Sequence, residues 1–263
     1  MNQIKHPLKA VLLDWAGTTV DYGSRAPTRV FVEIFRRRGV EITAAEARGP
    51  MGRAKHDHIA AVAAVPRVAA LWRERYGNEP TAADVDAMYD EFLPLQKETL
   101  ARGSDVLPGI PQAIAALRES GLKIGSTTGY TRELMDVVAP QAARGGYSPD
   151  VIVCSDDVSA GRPAPWMNFL AAQRLGVSPL EAVLVVDDTP VGIEAGLNAG
   201  AITVAVTQTG NALGFSEAEV AELPAAERDA RLAAIEQDFR AKGAHFAIPS
   251  VADLPAMLKR MLP

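Results

Sequence analysis

Short unbroken apolar runs alternate with longer amphipathic stretches along most of the chain. KAVLLD, ending at Asp14, opens the series. Its core, Val11-Leu12-Leu13, is uninterrupted, the pattern of a strand buried on both faces of a parallel sheet. Four further runs resemble it: LKIGST from Leu122, VIVCS from Val151, AVLVVD from Ala182 and ITVAVT from Ile202. Between them lie helical patterns: QAIAALRE after Pro111, RELMDVVA after Thr131, WMNFLAAQRL after Pro165, and a stretch after Pro190. Three of these stop at glycines, Gly121, Gly176 and Gly200, in keeping with proline at helix starts and glycine just past helix ends. Strand–helix alternation at this spacing predicts an α/β fold with a doubly wound, Rossmann-like parallel sheet.

Residues 22–102 break the alternation. APTRVFVEIFRRRG, PMGRAKHDHIAAVAA, VAALWRERYG and ADVDAMYDEFLPLQKETL all carry helical periodicity, and no strand pattern intervenes. The division expected is a core domain made of 1–21 and 103–263, with a helical cap domain, 22–102, inserted after the first strand. A charged helical segment from 216 to 242, a short AHFAI strand and a last helix, VADLPAMLKRML, complete the chain.

Composition narrows the function classes. The 263 residues are 48% hydrophobic with a net charge of −5, enough apolar content for a core and the wrong sign for nucleic acid or an anionic membrane as main partner. One cysteine, Cys154, forbids an internal disulfide. It lies inside an apolar run and is read as packing. The start, MNQIKHPLKA, lacks the apolar region of a signal peptide, and no apolar run approaches the roughly 20 residues of a membrane helix. A cytoplasmic protein is expected.

In open parallel sheets of this kind the site lies beyond the carboxyl ends of the strands. The first strand delivers Asp14 there. The second delivers Ser126, Thr127, Thr128 and Gly129, and the fourth delivers Asp187 and Asp188; Arg162 stands in a loop after the third. Each alone has a plainer reading: helix cap, turn residue or loop anchor. Together they suit a phosphoryl group with a divalent cation, since carboxylates hold Mg²⁺ and a guanidinium, hydroxyls and backbone N–H groups hold phosphate oxygens.

The insert adds a second constellation. If PMGRAKHDHI is a helix with Pro50 in its first turn, then Met51, Lys55 and His58 fall at i, i+4 and i+7 on one face, with Ile59 and Val62 close to that stripe. A lysine there can simply snorkel, His58 can be structural and Met51 can be packing. His56 and His58 point to different faces of such a helix, which disfavours zinc.

The four ordered segments resemble the motifs of the haloacid-dehalogenase-like superfamily: the Asp14 loop, the strand ending in Thr128, the Arg162 loop and the strand ending in Asp187-Asp188. The helical insert resembles its common cap. Phosphatases of that superfamily carry a second aspartate two residues after the nucleophile as general acid; here that residue is Ala16. A carbon leaving group would not need such an acid. DWAGTTVDYG, MGRAKHDH, GSTTGYTRE and AGRPAPWM together resemble the phosphonoacetaldehyde hydrolase family.

That resemblance implies hydrolysis of a carbon–phosphorus bond, with Asp14 as nucleophile, Lys55 forming a Schiff base with the aldehyde, and His58 and Met51 assisting at the imine. It implies Mg²⁺ held by Asp14, the Ala16 carbonyl and Asp188, with Asp187 nearby, and phosphate binding by Thr128, Gly129, Tyr130 and Arg162. Some members carry a further carboxylate where this chain has Gly192, so Asp187 or Glu194 is expected to serve instead. A homodimer through the cap is expected from the same resemblance and from an apolar face of the first insert helix: Val30, Phe31, Ile34 and Phe35. The rival readings are a phosphomonoesterase or phosphomutase on the same fold, and a signalling receiver phosphorylated on Asp14.

Overall fold

In the computed structural model, which describes residues 6–261, the apolar runs form one parallel sheet. Its strands are β1 (Ala10–Leu13), β2 (Lys123–Thr127), β3 (Val151–Val153), β4 (Val183–Asp187), β5 (Ile202–Val206) and β6 (Phe246–Ile248). They lie in the order β3-β2-β1-β4-β5-β6, with Leu13 beside Ser126 on one flank and beside Val186 on the other. The order reverses at β1, which makes the carboxyl end of that strand the topological switch point where such sheets bind ligands.

Alternation along the strands explains why both faces are covered. Val11 and Leu13 of β1, with Leu184 and Val186 of β4, turn to one face. There they meet α6 (Ile110–Glu119), α7 (Arg132–Arg144) and α12 (Leu254–Met261). Ala10 and Leu12, with Val183 and Val185, turn to the other, against α8 (Trp166–Leu175). α9 (Pro190–Asn198) and α11 (Ala225–Ala241) extend that second layer, packing Ile193 and Phe239 on Ala205 of β5. The fold expected from the sequence is therefore observed. The segment 216–242 is split by Leu223 and Pro224 into α10 (Glu217–Glu222) and α11. The first residues, from which the lack of a leader was read, and Leu262 of the last helical pattern lie outside the described residues.

The stretch after β1 is helical: α1 (Arg25–Arg37), α2 (Ala44–Arg48), α3 (Lys55–Ala63), α4 (Pro66–Tyr76) and α5 (Ala82–Gly103). These helices bury an apolar cluster of their own around Phe31, Phe35, Trp72, Met88 and Phe92. The chain leaves and returns by paired linkers, with the Asp21 N–H donating to the Asp105 carbonyl at 3.1 Å and the Leu107 N–H to that of Thr19 at 3.0 Å. α2 has no counterpart in the sequence reading; it is one short turn fixed by a reciprocal cap between Thr43 and Glu46. The apolar face of α1 needs correction. Val30, Phe31, Ile34 and Phe35 are all buried inside the chain, because α1 packs along α5. That face offers no surface to a second copy.

Phe92 is fully buried, its ring centroid 4.7 Å from that of Phe31. Phe92→Ala is expected to destabilise the chain by about 3–5 kcal/mol in urea unfolding, and a loss under about 1 kcal/mol would contradict a tightly packed cluster.

Candidate active site

β1 ends at Leu13, so Asp14 is the first residue past the sheet, held in register by its N–H donating to the Val186 carbonyl at 3.0 Å. The chain then turns sharply. The N–H groups of Thr18, Thr19 and Val20 all donate to the Trp15 carbonyl, and Gly17 takes a φ of +86° that only glycine adopts without strain. β4 ends at Asp187, with Asp188 next. Carboxylate oxygens of Asp14, Asp187 and Asp188 lie within 4.8 Å of one another, and all three residues are buried.

Each carboxylate is held separately. Thr189 donates to Asp187 Oδ1 through its N–H at 2.9 Å and its hydroxyl at 2.7 Å. Thr18 Oγ1 donates to Asp188 Oδ1 at 3.1 Å, and the Asn211 N–H donates to Asp188 Oδ2 at 2.7 Å. Arg162, also buried, reaches in from beyond β3. Its Nη2 lies 2.8 Å from Asp14 Oδ1 and 3.1 Å from Asp187 Oδ2, and donates to the Thr127 carbonyl and hydroxyl at 3.0 Å. Its Nη1 is buried with no partner among the described residues. One guanidinium among three carboxylates leaves the cluster short of positive charge. Burial first, then the Asp187 carboxylate, pushes Asp14 up to about 7; burial and the Asp14 charge push Asp188 well up. Asp187 Oδ2 is near Arg162 but not aligned to accept a hydrogen bond. Hard oxygen donors at this spacing fit a divalent cation.

The Gly192 substitution is explained by this geometry. A Cβ on Gly192 would lie 2.0 Å from Asp187 Cγ, so the Asp187 carboxylate fills the space that a side chain at 192 would take. Glu194 is exposed and outside the cluster, whereas Asp187 lies within it.

Facing the cluster is a small cavity of about 20 Å³, lined by Asp14, Ala16, Thr128, Gly129, Tyr130 and Arg162 from the sheet side and by Met51, Gly52 and Lys55 from the helical segment. Eight of the predicted site residues thus meet at one place. Lys55 opens α3 and is 4% exposed. Its Nζ lies 4.8 Å from the Tyr130 ring centroid and 5.7 Å from that of Phe31. Burial, with Arg162 adding repulsion against the attraction of Asp14, brings its amine down to about 8. Position at a helix N-terminus also disfavours an ammonium.

The helix expected from Pro50 is not formed. Residues 50–54 are a turn in which Gly52 takes a φ of +93°, and a Cβ there would strike Thr189 Oγ1 at 2.4 Å. Met51 therefore reaches the cavity from a turn, not as part of a helical stripe with Lys55 and His58. His58 is buried behind the cavity and is not among the residues lining it. It stacks on Phe31 with centroids 3.6 Å apart, and its Nε2 is 2.8 Å from the Ala47 carbonyl. Nε2 must therefore carry the hydrogen, leaving Nδ1 as a buried acceptor without a partner. Burial and the Lys55 charge lower its pKa well below the usual value, so the ring is neutral. His56 turns away to Asp86 at 2.8 Å. Cys154 is buried in the sheet core, its thiol pushed up to about 12 by burial, as suits packing. Thr18, Asn211 and Thr189 were not singled out from the sequence; only the TT after DWAG hints at the first. A separate cavity of about 700 Å³ lies between α1, α5 and residues 105–108 and holds none of the predicted site residues.

A family model described as haloacid dehalogenase-like hydrolase matches residues 8–200. The phosphonoacetaldehyde hydrolase of Paraburkholderia xenovorans (strain LB400) is 51% identical over 251 residues, covering 95% of this chain and 94% of that protein. That of Bacillus cereus (strain AH820) is 46% identical over 254 residues, covering 97% and 96%. This chain belongs to the phosphonoacetaldehyde hydrolase family. A phosphonoacetaldehyde hydrolase-like protein from Oleispira antarctica superposes with a TM-score of 0.95 at 38% identity, covering 97% of this chain and 93% of that one. The chain is thus an enzyme, a hydrolase of the haloacid dehalogenase-like type. No helix among the described residues is long and apolar enough to cross a membrane.

Because the Asp187 carboxylate occupies the space above Gly192, Gly192→Ala is expected to displace it. Calorimetric titration should find Mg²⁺ binding weakened by about tenfold or more, the scale expected for disturbing groups around a metal. Unchanged affinity would show that Asp187 plays no part in holding a cation.

Proposed function

We propose that the chain hydrolyses phosphonoacetaldehyde to acetaldehyde and phosphate, through an imine on Lys55 and a phosphoryl group carried on Asp14. The observation that carries this reading is Lys55 itself. A buried lysine with its amine brought down to about 8 shares one cavity with Asp14. A phosphate-ester hydrolase has no use for such an amine, whereas attack on an aldehyde requires one.

Neutral Lys55 Nζ adds to the aldehyde carbon, and loss of water with uptake of one proton leaves a protonated imine. An Asp14 oxygen attacks phosphorus, the carbon–phosphorus bond breaks, and its electron pair passes into the imine to give an enamine. The enamine takes a proton on carbon and is hydrolysed, releasing acetaldehyde and the free amine. Water then cleaves the aspartyl phosphate. Thr128, Gly129, Tyr130 and the unpartnered Arg162 Nη1 are the groups we assign to the phosphonate oxygens. His58 Nδ1, a free acceptor behind Lys55, is assigned to proton relay, and Met51 packs at the imine. A divalent cation, Mg²⁺ in this reading, held by Asp14, Asp188 and the Ala16 carbonyl with Asp187 in support, would offset the charge between carboxylate and phosphonate.

Ala16 weighs against the phosphomonoesterase or phosphomutase reading, because it offers no proton to a leaving oxygen. The cavity of about 20 Å³ holds no more than a water, so substrate entry requires the helical segment to lift. That motion suits a cap domain, 22–102, over a core of 1–21 and 103–263. A homodimer now rests on the resemblance alone, and the lone cysteine favours a cytoplasmic setting.

Phosphate release should be observed from phosphonoacetaldehyde and not from p-nitrophenyl phosphate or sugar phosphates. It should stop in excess chelator and return with Mg²⁺. Lys55→Arg should lose at least about 10³-fold in rate, and kcat/KM of the unaltered enzyme should fall as pH drops below about 8, where the amine gains its proton. Release from esters alone, or an active Lys55→Arg variant, would sink the reading.

A further inference from the structure

Arg48 ends α2, and among the described residues no carboxylate lies within ion-pair distance of it. Its guanidinium is spent on neutral oxygens. Nη1 donates to the Gly23 carbonyl at 2.7 Å, to Asn211 Oδ1 at 3.1 Å and to the Asn211 carbonyl at 3.3 Å; Nη2 donates to the Gly214 carbonyl at 3.1 Å. Asn211 returns the contact, its Nδ2 donating to the Arg48 carbonyl at 3.2 Å. Gly214 takes a φ of +70°, and a Cβ there would lie 2.7 Å from Arg48 Cζ. The glycine backbone thus packs directly on the guanidinium. A planar fork with five donors can span acceptors on separate segments, and a lysine ammonium cannot.

The two ends of this contact lead to the two halves of the site. On one side, Arg48 is followed by the turn that carries Met51 and Gly52 to the cavity and starts the helix of Lys55. That turn has little freedom: a Cβ on Gly129 would lie 2.6 Å from the Arg53 carbonyl. On the other side, the same Asn211 donates its backbone N–H to Asp188 Oδ2 at 2.7 Å. Arg48 and Asn211 are 163 positions apart in the chain, so no local preference brings them together.

We propose that Arg48 is a positioning residue that sets Lys55 and Asp188 in register. It seats the segment bearing the amine on the loop that holds the carboxylate, so that closing the helical segment completes both halves of the site in one event. Opening the segment loosens Asn211, and with it Asp188. The proposal rests on Lys55 and Asp188 being site residues, and its first two measurements need no substrate.

Arg48→Ala, Arg48→Lys and Asn211→Ala are made in the full chain; the last keeps the backbone N–H to Asp188 and removes only the side-chain contact. Amide hydrogen exchange is followed in residues 44–54 and 209–214, Mg²⁺ affinity by calorimetry, and kcat and KM with phosphonoacetaldehyde. Both segments should exchange about tenfold faster in all three variants, including 209–214, which the substitution at 48 does not alter. Mg²⁺ affinity should fall several-fold although Arg48 touches no metal-holding carboxylate. In Arg48→Ala, kcat/KM should fall by about ten- to a hundredfold, the scale of a lost charged hydrogen bond. Arg48→Lys should recover little of this. The losses in the double variant Arg48→Ala/Asn211→Ala should sum to less than those of the two single variants, because both substitutions remove the same bond between Arg48 Nη1 and Asn211 Oδ1. A lower melting temperature with Mg²⁺ affinity and exchange of 209–214 unchanged would overturn the proposal and reduce Arg48 to packing. Should Arg48→Ala fail to fold, Asn211→Ala and Arg48→Lys decide by the same readings. If exchange and Mg²⁺ affinity shift as expected while even the unaltered enzyme leaves phosphonoacetaldehyde intact, the substrate reading fails and the role of Arg48 stands.

Discussion

Three carboxylates, those of Asp14, Asp187 and Asp188, converge within 4.8 Å, and all three residues are buried. At an effective dielectric of about 20, each like-charge pair at such a distance costs roughly 3–4 kcal/mol. Arg162 offsets part of this by sitting between Asp14 and Asp187. Burial first, and this repulsion after it, push Asp14 up to about 7 and Asp188 well up. Crowding also dictates the backbone around the cluster. A Cβ on Gly17 would lie 2.2 Å from Asp188 Oδ2, one on Gly210 2.7 Å from Asp188 Cβ, and one on Gly192 2.0 Å from Asp187 Cγ. Three glycines therefore stand where the carboxylates need the main chain to be bare. A cation among these oxygens relieves the same repulsion, which is why the site is read as one for a divalent metal.

Across the cavity the opposite sign of the same physics operates. Burial penalises the Lys55 ammonium as it penalises the carboxylates, and Arg162 adds to that penalty. Asp14 and Asp188 lean toward protonation and the amine toward neutrality. A lysine amine inclined to neutrality thus shares a cavity with the Asp14 carboxylate, the pairing on which the proposed reaction rests. Keeping the lysine dry depends on the helical segment's own apolar cluster and on the aromatic walls of Phe31 and Tyr130. Removing any wall would return the amine toward its ordinary pKa.

The sequence disclosed those parts of the molecule that depend on local pattern. The runs at Val11, Ile124, Val151, Val183 and Ile202 could be read as strands because they are short and apolar between helical patterns, and strand ends then carried Asp14, Thr128, Asp187 and Asp188 to one edge. Parts that depend on distant contacts were not legible. The turn at Gly52 was read as helix because proline followed by apolar spacing is also a helix signature, while a positive φ leaves no mark beyond the glycine itself. The face of α1 seemed free because its partner, α5, lies some fifty residues further along the chain. Gly192 was visible as a missing carboxylate, yet only the fold reveals that Asp187 occupies its space. Arg48 and Asn211 carry no motif at all, since what they bind is mostly backbone carbonyl.

The account turns on whether Lys55 Nζ becomes covalently bonded to the carbonyl carbon of its substrate. The most direct measurement adds borohydride to the enzyme with phosphonoacetaldehyde or acetaldehyde and maps the modified peptide by mass spectrometry. The account predicts a reduced two-carbon adduct on Lys55, formed faster as pH rises through about 8, together with loss of phosphate release. An enzyme that releases phosphate from phosphonoacetaldehyde while Lys55 remains unmodified under these conditions would contradict it.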